Sequence, residues 1–178
     1  MYIKKTIGER CFLGSIDIDD YPKYTEWAND IEHLIGMKLP ARYISLEAGK
    51  KRLAKMASDK NTFSIIENKS NELIGFCFLG NIDELNQTGE IGIMLAKEKT
   101  NFGFGTEACT LLLDYAFNIL NLFNVKLEVY DYNKQAIASY KKIGFKQVGA
   151  WRKAKLIFGK RYNQIIMDIL ADEYFQDN

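Results

Sequence analysis

Sorting apolar from polar positions along the chain yields four stretches with helical spacing and about seven with the character of strands. The run "TIGERCFLGSI" reads as a first strand with a turn-like end at Asp17 to Asp20. "YPKYTEWAND" then starts a short helix, with Pro22 near its first turn. In "ISLEAGKKRLAKMASD" Ser45 is placed to cap an amphipathic helix whose Leu46, Leu53 and Met56 sit near helical spacing. "NTFSIIENK", the polar turn "SNE" and "LIGFCFLGNI" together predict a hairpin. "NQTGEIGIMLAKEK" is a further strand, and the helix after it, from about Thr106 to Leu120, turns Ala108, Leu111, Leu112, Tyr115 and Ala116 inward. "NVKLEVYD" is rich in β-formers, and "NKQAIASYKKIGF" is a helix ended by Gly144. "KQVGAWRKAKLIF", a turn at Gly159 and "RYNQIIMDIL" predict closing strands. Antiparallel strands followed by strand–helix–strand–helix–strand mean α+β or α/β with one mixed sheet.

Composition narrows the functional classes. The 178 residues suit one domain with a sizeable core, and 47% hydrophobic against 26% charged residues is an ordinary globular balance. Lys and Arg number 24 and Asp and Glu 23, a net charge of +1, so nothing global favours nucleic acid or an anionic membrane as a partner. No apolar run reaches spanning length, and the amino terminus lacks an apolar segment of signal-peptide length, so a cytoplasmic location is expected. Cys11, Cys77 and Cys109 are far apart with no C-x-x-C pair and are expected to be buried free thiols. His33, the single histidine, cannot supply a metal cluster, and no metal is expected.

The informative stretch is "KEKTNFGFGTEACTLLLDYAF", where Gly103 and Gly105 stand just ahead of an apolar helix. Glycine is entropically costly in ordered structure, so the pair needs a geometric reason. A strand, this loop and a helix place several unsatisfied N–H groups at a helix amino terminus, which suits a pyrophosphate. A tight strand-to-helix turn without a ligand explains the same residues. The loop has no G-K-[ST] and lacks the third glycine of the dinucleotide fingerprint.

Taken with "NKQAIASYKKIGF", from Asn133 to Phe145, the "GFGTEA" loop resembles the GNAT family of acyl-CoA-dependent N-acetyltransferases. The likeness is to the branch that includes ribosomal-protein and spermidine acetyltransferases. "WAND", "ISLEAGKK", "LIGF", "GEIGIML" and "GKRYNQIIMDIL" fall in the expected order along nearly the whole chain. The resemblance implies one domain over residues 1–178 and a mixed, mostly antiparallel splayed sheet of about seven strands flanked by helices. It also implies acetyl transfer from acetyl-CoA to a primary amine by direct attack in a ternary complex, without a metal.

Carried over position by position, the resemblance assigns Asn101, Phe102, Gly103, Phe104, Gly105 and Thr106 to the diphosphate. Thr100 stands where the family usually has Gln or Arg, and Asn101 where another Gly is common. Asn133 corresponds to the Asn that bonds the cofactor arm, and Tyr140 to the Tyr beside the cofactor sulfur. The strand around Ile93, Met94 and Leu95 would open, its freed main-chain groups pairing with the pantetheine arm and aiming a donor near Met94 at the thioester carbonyl. A glycine inside that strand fits a bulge, though core packing would also explain it.

An ammonium must lose its proton before it attacks, which calls for a base, and the leaving thiolate benefits from an acid. Glu90 is the candidate base, directly or through water; alternation puts it on one face with Gly92 and Met94, and a solvent-facing or salt-bridged glutamate is the alternative. Tyr140 is the candidate acid. Trp27 and Asp30, with Tyr24 and the hairpin aromatics Trp151, Phe158 and Tyr162, are candidates for the acceptor side. A covalent acyl-cysteine has little support, because no cysteine sits beside the histidine. A small-molecule or peptide amine would be the acceptor; a polyamine site should be lined by several acidic side chains. A non-catalytic acyl-CoA-sensing domain and a nucleotide-binding module are the other classes, and a homodimer through the carboxyl-terminal sheet edge is compatible with the pattern.

Overall fold

The computed structural model describes residues 2–31 and 43–176. Its strands are β1 (Lys4–Ile7), β2 (Cys11–Gly14), β3 (Thr62–Glu67), β4 (Leu73–Asp83), β5 (Thr88–Leu95), β6 (Asn124–Tyr130), β7 (Lys146–Ile157) and β8 (Lys160–Leu170). The helices are α1 (Tyr21–Asn29), α2 (Leu46–Ala57), α3 (Phe104–Asp114), α4 (Lys134–Ile143) and α5 (Ala171–Gln176). The strand order is β1-β2-β3-β4-β5-β6-β8-β7, with β5 and β6 parallel and the β1–β2, β2–β3, β3–β4, β6–β8 and β7–β8 pairs antiparallel. There are eight strands where about seven are expected. The first expected strand is two: Gly8 donates its N–H to the Cys11 carbonyl at 2.8 Å and folds the run back on itself.

Two compact units share strands β4 and β5. The first comprises Met1–Phe78 with Ile93–Leu111, the second Leu79–Gly92 with Leu112–Asn178. In the first, Phe12, Tyr24, Trp27, Leu53, Ile66 and Met94 form a buried cluster. Gly75 lets β4 and β5 approach, because a Cβ there would fall on the Met94 carbonyl oxygen. Helices α1 and α2 meet through Gly49, where a Cβ would fall on the Thr25 hydroxyl. Ser45 caps α2 as expected, accepting from Ala48 N–H at 3.2 Å, and Leu53 is buried. Leu46 is instead 57% exposed, since the first residue of a helix precedes the turn that would carry it inward.

In the second unit, β6 is covered on both edges: Thr88, Gly89 and Glu90 pair with Asn124, Val125 and Lys126, and β8 pairs along its whole length. Buried Leu112, Tyr115 and Ala116 follow the expected inward stripe. The helix itself begins at Phe104, and after Asp114 it widens into a π turn over Tyr115–Ile119. Gly144 ends α4 in the left-handed region at φ 113°, as the sequence predicts. The sheet edge is β7, interrupted by a register shift between Trp151 and Lys155 with Lys153 at φ 54°. Such an irregularity blunts edge-to-edge association. No helix among the described residues is long and apolar enough to cross a membrane.

Lys99 sits between Glu67 at 2.8 Å and Glu72 at 3.1 Å, and Lys23 reaches Glu72 at 3.0 Å. The Lys99 hydrogen bond, then that of Ser70, holds the Glu67 carboxyl below its ordinary range; the Lys23 bond, then Lys99, does so for Glu72. A folded value below the unfolded one stabilises fully above the unfolded pKa, and the gain is lost as pH falls through the folded value. Glu67→Gln is therefore expected to lower the urea midpoint near pH 7 relative to the parent. The two midpoints should converge as the pH is taken to about 3. Gly75→Ala, which must displace main chain, is expected to cost about 1–3 kcal/mol in the same measurement.

Candidate active site

The glycine loop is built by the backbone. After β5 and a single turn at Lys97–Lys99, Asn101 and Gly103 take left-handed conformations, φ 70° and 86°, and α3 begins at Phe104. Its first internal bond runs from Glu107 N–H to the Gly103 carbonyl at 3.1 Å. The N–H groups of Phe104, Gly105 and Thr106 precede that bond and have no partner within the helix. A side chain at Gly103 would meet the Arg10 guanidinium 3.3 Å away, and one at Gly105 would meet Leu95 at 3.3 Å. Phe102 is 66% exposed while Phe104 is buried. Thr100 donates its hydroxyl to the Lys97 carbonyl at 2.8 Å, so its side chain is spent inside the turn.

Arg10 escapes sequence reasoning. Its main-chain N–H donates to Glu107 Oε1 at 2.8 Å, and its Nη1 lies 3.8 Å from Oε2 of the same carboxylate. Gly8 makes room, because a Cβ there would fall on Glu107 Oε1. Glu107 thus ties the β1–β2 turn to the start of α3 and brings a guanidinium, 57% exposed, beside Gly103. Only the "TE" after the second glycine hints at this, and nothing in the sequence says what the glutamate holds.

The same unit contains the expected acceptor residue Trp27, in the wall of a cavity lined also by Tyr24, Leu53, Phe76, Met94 and Arg52. Tyr24 stacks on Phe76 with ring centroids 5.5 Å apart and shares a hydrogen bond with buried Ser64 at 3.1 Å. Met94 therefore belongs both to the cavity and to the strand end Ile93–Leu95. Asp30, expected beside Trp27, is not part of the wall. It ends α1, donating its N–H to the Glu26 carbonyl at 3.1 Å.

Glu90, Asn133 and Tyr140 lie in the second unit. Glu90 Oε2 is 3.2 Å from Lys126 Nζ and accepts from Asn81 Nδ2 at 3.1 Å. It is paired, as its alternative reading anticipates, and its side chain is largely buried. Lys126 also approaches Glu128, which accepts from Gln164. Along β5, burial at Gly89 and Ile91 shifts phase to Met94, so simple alternation fails between Gly92 and Met94. The parallel ladder runs as far as the Glu90–Lys126 pair, while β5 continues to Leu95 and β6 to Tyr130. Asn133 caps α4, its Oδ1 accepting from Ala136 N–H at 3.1 Å, which leaves its amide nitrogen as the group to offer a ligand. Tyr140 is half-buried on α4, edge-on to Phe145 at 5.8 Å.

The hairpin aromatics belong to the second unit as well. Trp151 and Phe158 are 65% and 84% exposed, while Tyr162 meets Tyr132 edge-on at 4.7 Å. None of the three lines the cavity. All three cysteines are free and buried, and burial pushes the Cys11 thiol up to about 12, with the Glu107 carboxylate adding to the shift. Thiols so held are poor nucleophiles at neutral pH. Among the described residues no group of His, Cys, Asp and Glu could hold a metal ion; His33 lies outside them.

Residues 10–146 match the family model described as "Acetyltransferase (GNAT) domain". The uncharacterized N-acetyltransferase p20 of Bacillus licheniformis is 32% identical over 114 residues, 64% of each chain. Spermidine N(1)-acetyltransferase of Escherichia coli K12 is 32% identical over 107 residues, 60% of this chain and 58% of that protein. The matched stretch thus spans about three fifths of these relatives' own length. The crystal structure of spermidine N-acetyltransferase from Vibrio cholerae with CoA and spermine superposes with a TM-score of 0.85 at 24% identity, covering 94% of this chain and 99% of that one. A GNAT-family acetyltransferase from Bacillus anthracis gives 0.82 at 21% identity over 97% and 100%. The fold is theirs, and with its family model spanning most of the sequence this chain belongs to the GNAT acetyltransferase family.

Proposed function

We propose that the protein transfers an acetyl group from acetyl-CoA to a primary amine by direct attack in a ternary complex. The observation that carries this reading is the start of α3: three N–H groups ahead of the first helical bond, two glycines that keep side chains away, and the Arg10 guanidinium beside Gly103. These donors fit a diphosphate, since a helix amino terminus and a guanidinium both favour anionic oxygens. A relative whose solved complex contains CoA supports the same reading.

Acetyl-CoA supplies an activated acyl thioester. The main-chain amides of residues 101–106 hold the diphosphate, with Arg10 closing one side. Ile93, Met94 and Leu95 offer main-chain groups to the pantetheine arm, and the Met94 N–H is the donor for the oxyanion that develops on attack. The amide nitrogen of Asn133 donates to the arm. Glu90 takes the proton from the acceptor ammonium, through water where the Lys126 pair keeps the carboxylate from direct contact. The Tyr140 hydroxyl donates toward the departing sulfur. Trp27 walls the acceptor cavity, and Asp30 ends the helix that carries it.

A non-catalytic acyl-CoA sensor would share the loop and lack turnover. Free-thiol release with an amine panel separates the two. Gly103→Val, at a left-handed position, is expected to weaken CoA binding at least about tenfold by calorimetry, and Arg10→Ala to weaken it with a shallower salt dependence. Unchanged affinity in both would remove the loop from the site. Tyr140→Phe is expected to lower kcat by about tenfold or more while CoA affinity holds. Glu90→Gln should lower kcat and flatten the rise of rate with pH. If affinity falls instead of rate for Tyr140→Phe, that residue binds and does not donate.

A further inference from the structure

We infer that the turn joining β7 to β8, with the strand ends beside it, is a binding surface for single-stranded nucleic acid. Arg152, Lys153, Lys155, Lys160 and Arg161 hold its phosphates, and Trp151 and Phe158 stack on its bases. Nothing in this surface depends on the acetyl-transfer reading. The net charge of +1 hides a segregation along the chain. Nine of its 24 Lys and Arg residues lie within residues 132–167, and none of its 23 Asp and Glu residues does. Five of those nine fall within residues 151–161. None of the five has a carboxylate partner among the described residues, whereas Lys146, at the start of β7, is matched by Glu173.

The turn itself is costly to the chain alone. Phe158 and Gly159 both have positive φ, 45° and 78°, the pattern of a two-residue hairpin turn that favours Asn-Gly. A bulky residue in the left-handed region is an outlier, and this one is also 84% exposed. Neither backbone preference nor burial accounts for a phenylalanine there, and strain of this kind gathers where a surface meets a ligand. Trp151 is exposed as well, and neither ring has an aromatic or cationic partner among the described residues. Trp151 pairs with Gln164 and Ile157 with Lys160, so about 14 Å of strand separates Trp151 from the turn, several phosphate spacings. Cations and exposed rings interleave over that length, which suits a flexible polyanion with stacking bases. The basic run of α2, Lys50 to Lys55, contains no aromatic residue, and its Lys51 is paired with Glu47. An acidic peptide would satisfy the hairpin's cations and leave its rings in water. A membrane-inserting hairpin gathers apolar side chains at its tip, but here Lys160 and Arg161 follow Gly159 directly. A second copy pairing along β7 would set like charges against like and meet the irregularity at Lys153.

The test is fluorescence anisotropy of labelled oligo(U) and oligo(dT), about 12 nucleotides long, on the full chain with and without saturating CoA. Polyglutamate of equal charge, a duplex of equal length and phosphatidylserine-containing vesicles are the competitors. At least one oligonucleotide is expected to bind about tenfold more tightly than every competitor, unaffected by CoA, and the ratio between the two separates RNA from DNA. The slope of log affinity against log salt should reach at most about −3.5 and become shallower by about 0.7 for each of Lys153→Gln and Lys160→Gln. Binding should quench Trp151, the exposed one of two tryptophans, and Trp151→Ala should remove both the quench and much of the affinity. Phe158→Asn is expected to weaken binding at least about fivefold while raising the urea midpoint, because Asn suits the turn; a phenylalanine kept for structure would lower that midpoint. Absence of oligonucleotide binding, a competitor that binds as tightly, loss of binding on adding CoA, or unchanged affinity in Trp151→Ala and Phe158→Asn overturns the inference.

Discussion

One carboxylate organises the glycine-loop end of the first unit. Glu107, in the opening turn of α3, accepts the Arg10 main-chain N–H and sits where Gly8 has no side chain. A carboxylate near a helix amino terminus is already favoured by the dipole, so the bond that draws in the β1–β2 turn forms where negative charge is stable. The consequence is electrostatic. Satisfying the carboxylate with main chain at 2.8 Å leaves the Arg10 side chain only loosely associated with it, at 3.8 Å, and free to face the glycine loop. A tight bidentate pair would have neutralised the cation that, on the proposed reading, helps the loop hold a diphosphate.

Elements with a strong local signal were legible in the sequence. The Ser45 cap, Gly144 in the left-handed region, the β3–β4 hairpin and the inward stripe of α3 all follow from one stretch of chain at a time. So did the loop, because two glycines ahead of a helix restrict geometry however the rest folds. Partnerships between distant residues were not legible. The β1–β2 hairpin hides in one strand-like run because its turn is made by Gly8 to Arg10 without a proline or Asn-Gly signal. The Arg10–Glu107 contact spans 97 positions, and the Glu90–Lys126 pair depends on a parallel register that only the assembled sheet sets.

Lys126 and Asn81 both engage Glu90 at Oε2, so a proton taken by this carboxylate is taken beside a cation. The cavity changes what the base must do. A free alkylammonium has a pKa of about 10.4, but desolvation disfavours the charged form, and a nearby like charge disfavours it further. Walls of Trp27, Phe76 and Leu53 supply the first effect. On the proposed reading, the acceptor amine therefore sheds part of its proton affinity on entering, before any carboxylate acts. A cavity lined by carboxylates would do the reverse, holding ammonium groups charged and leaving the entire task to a strong base.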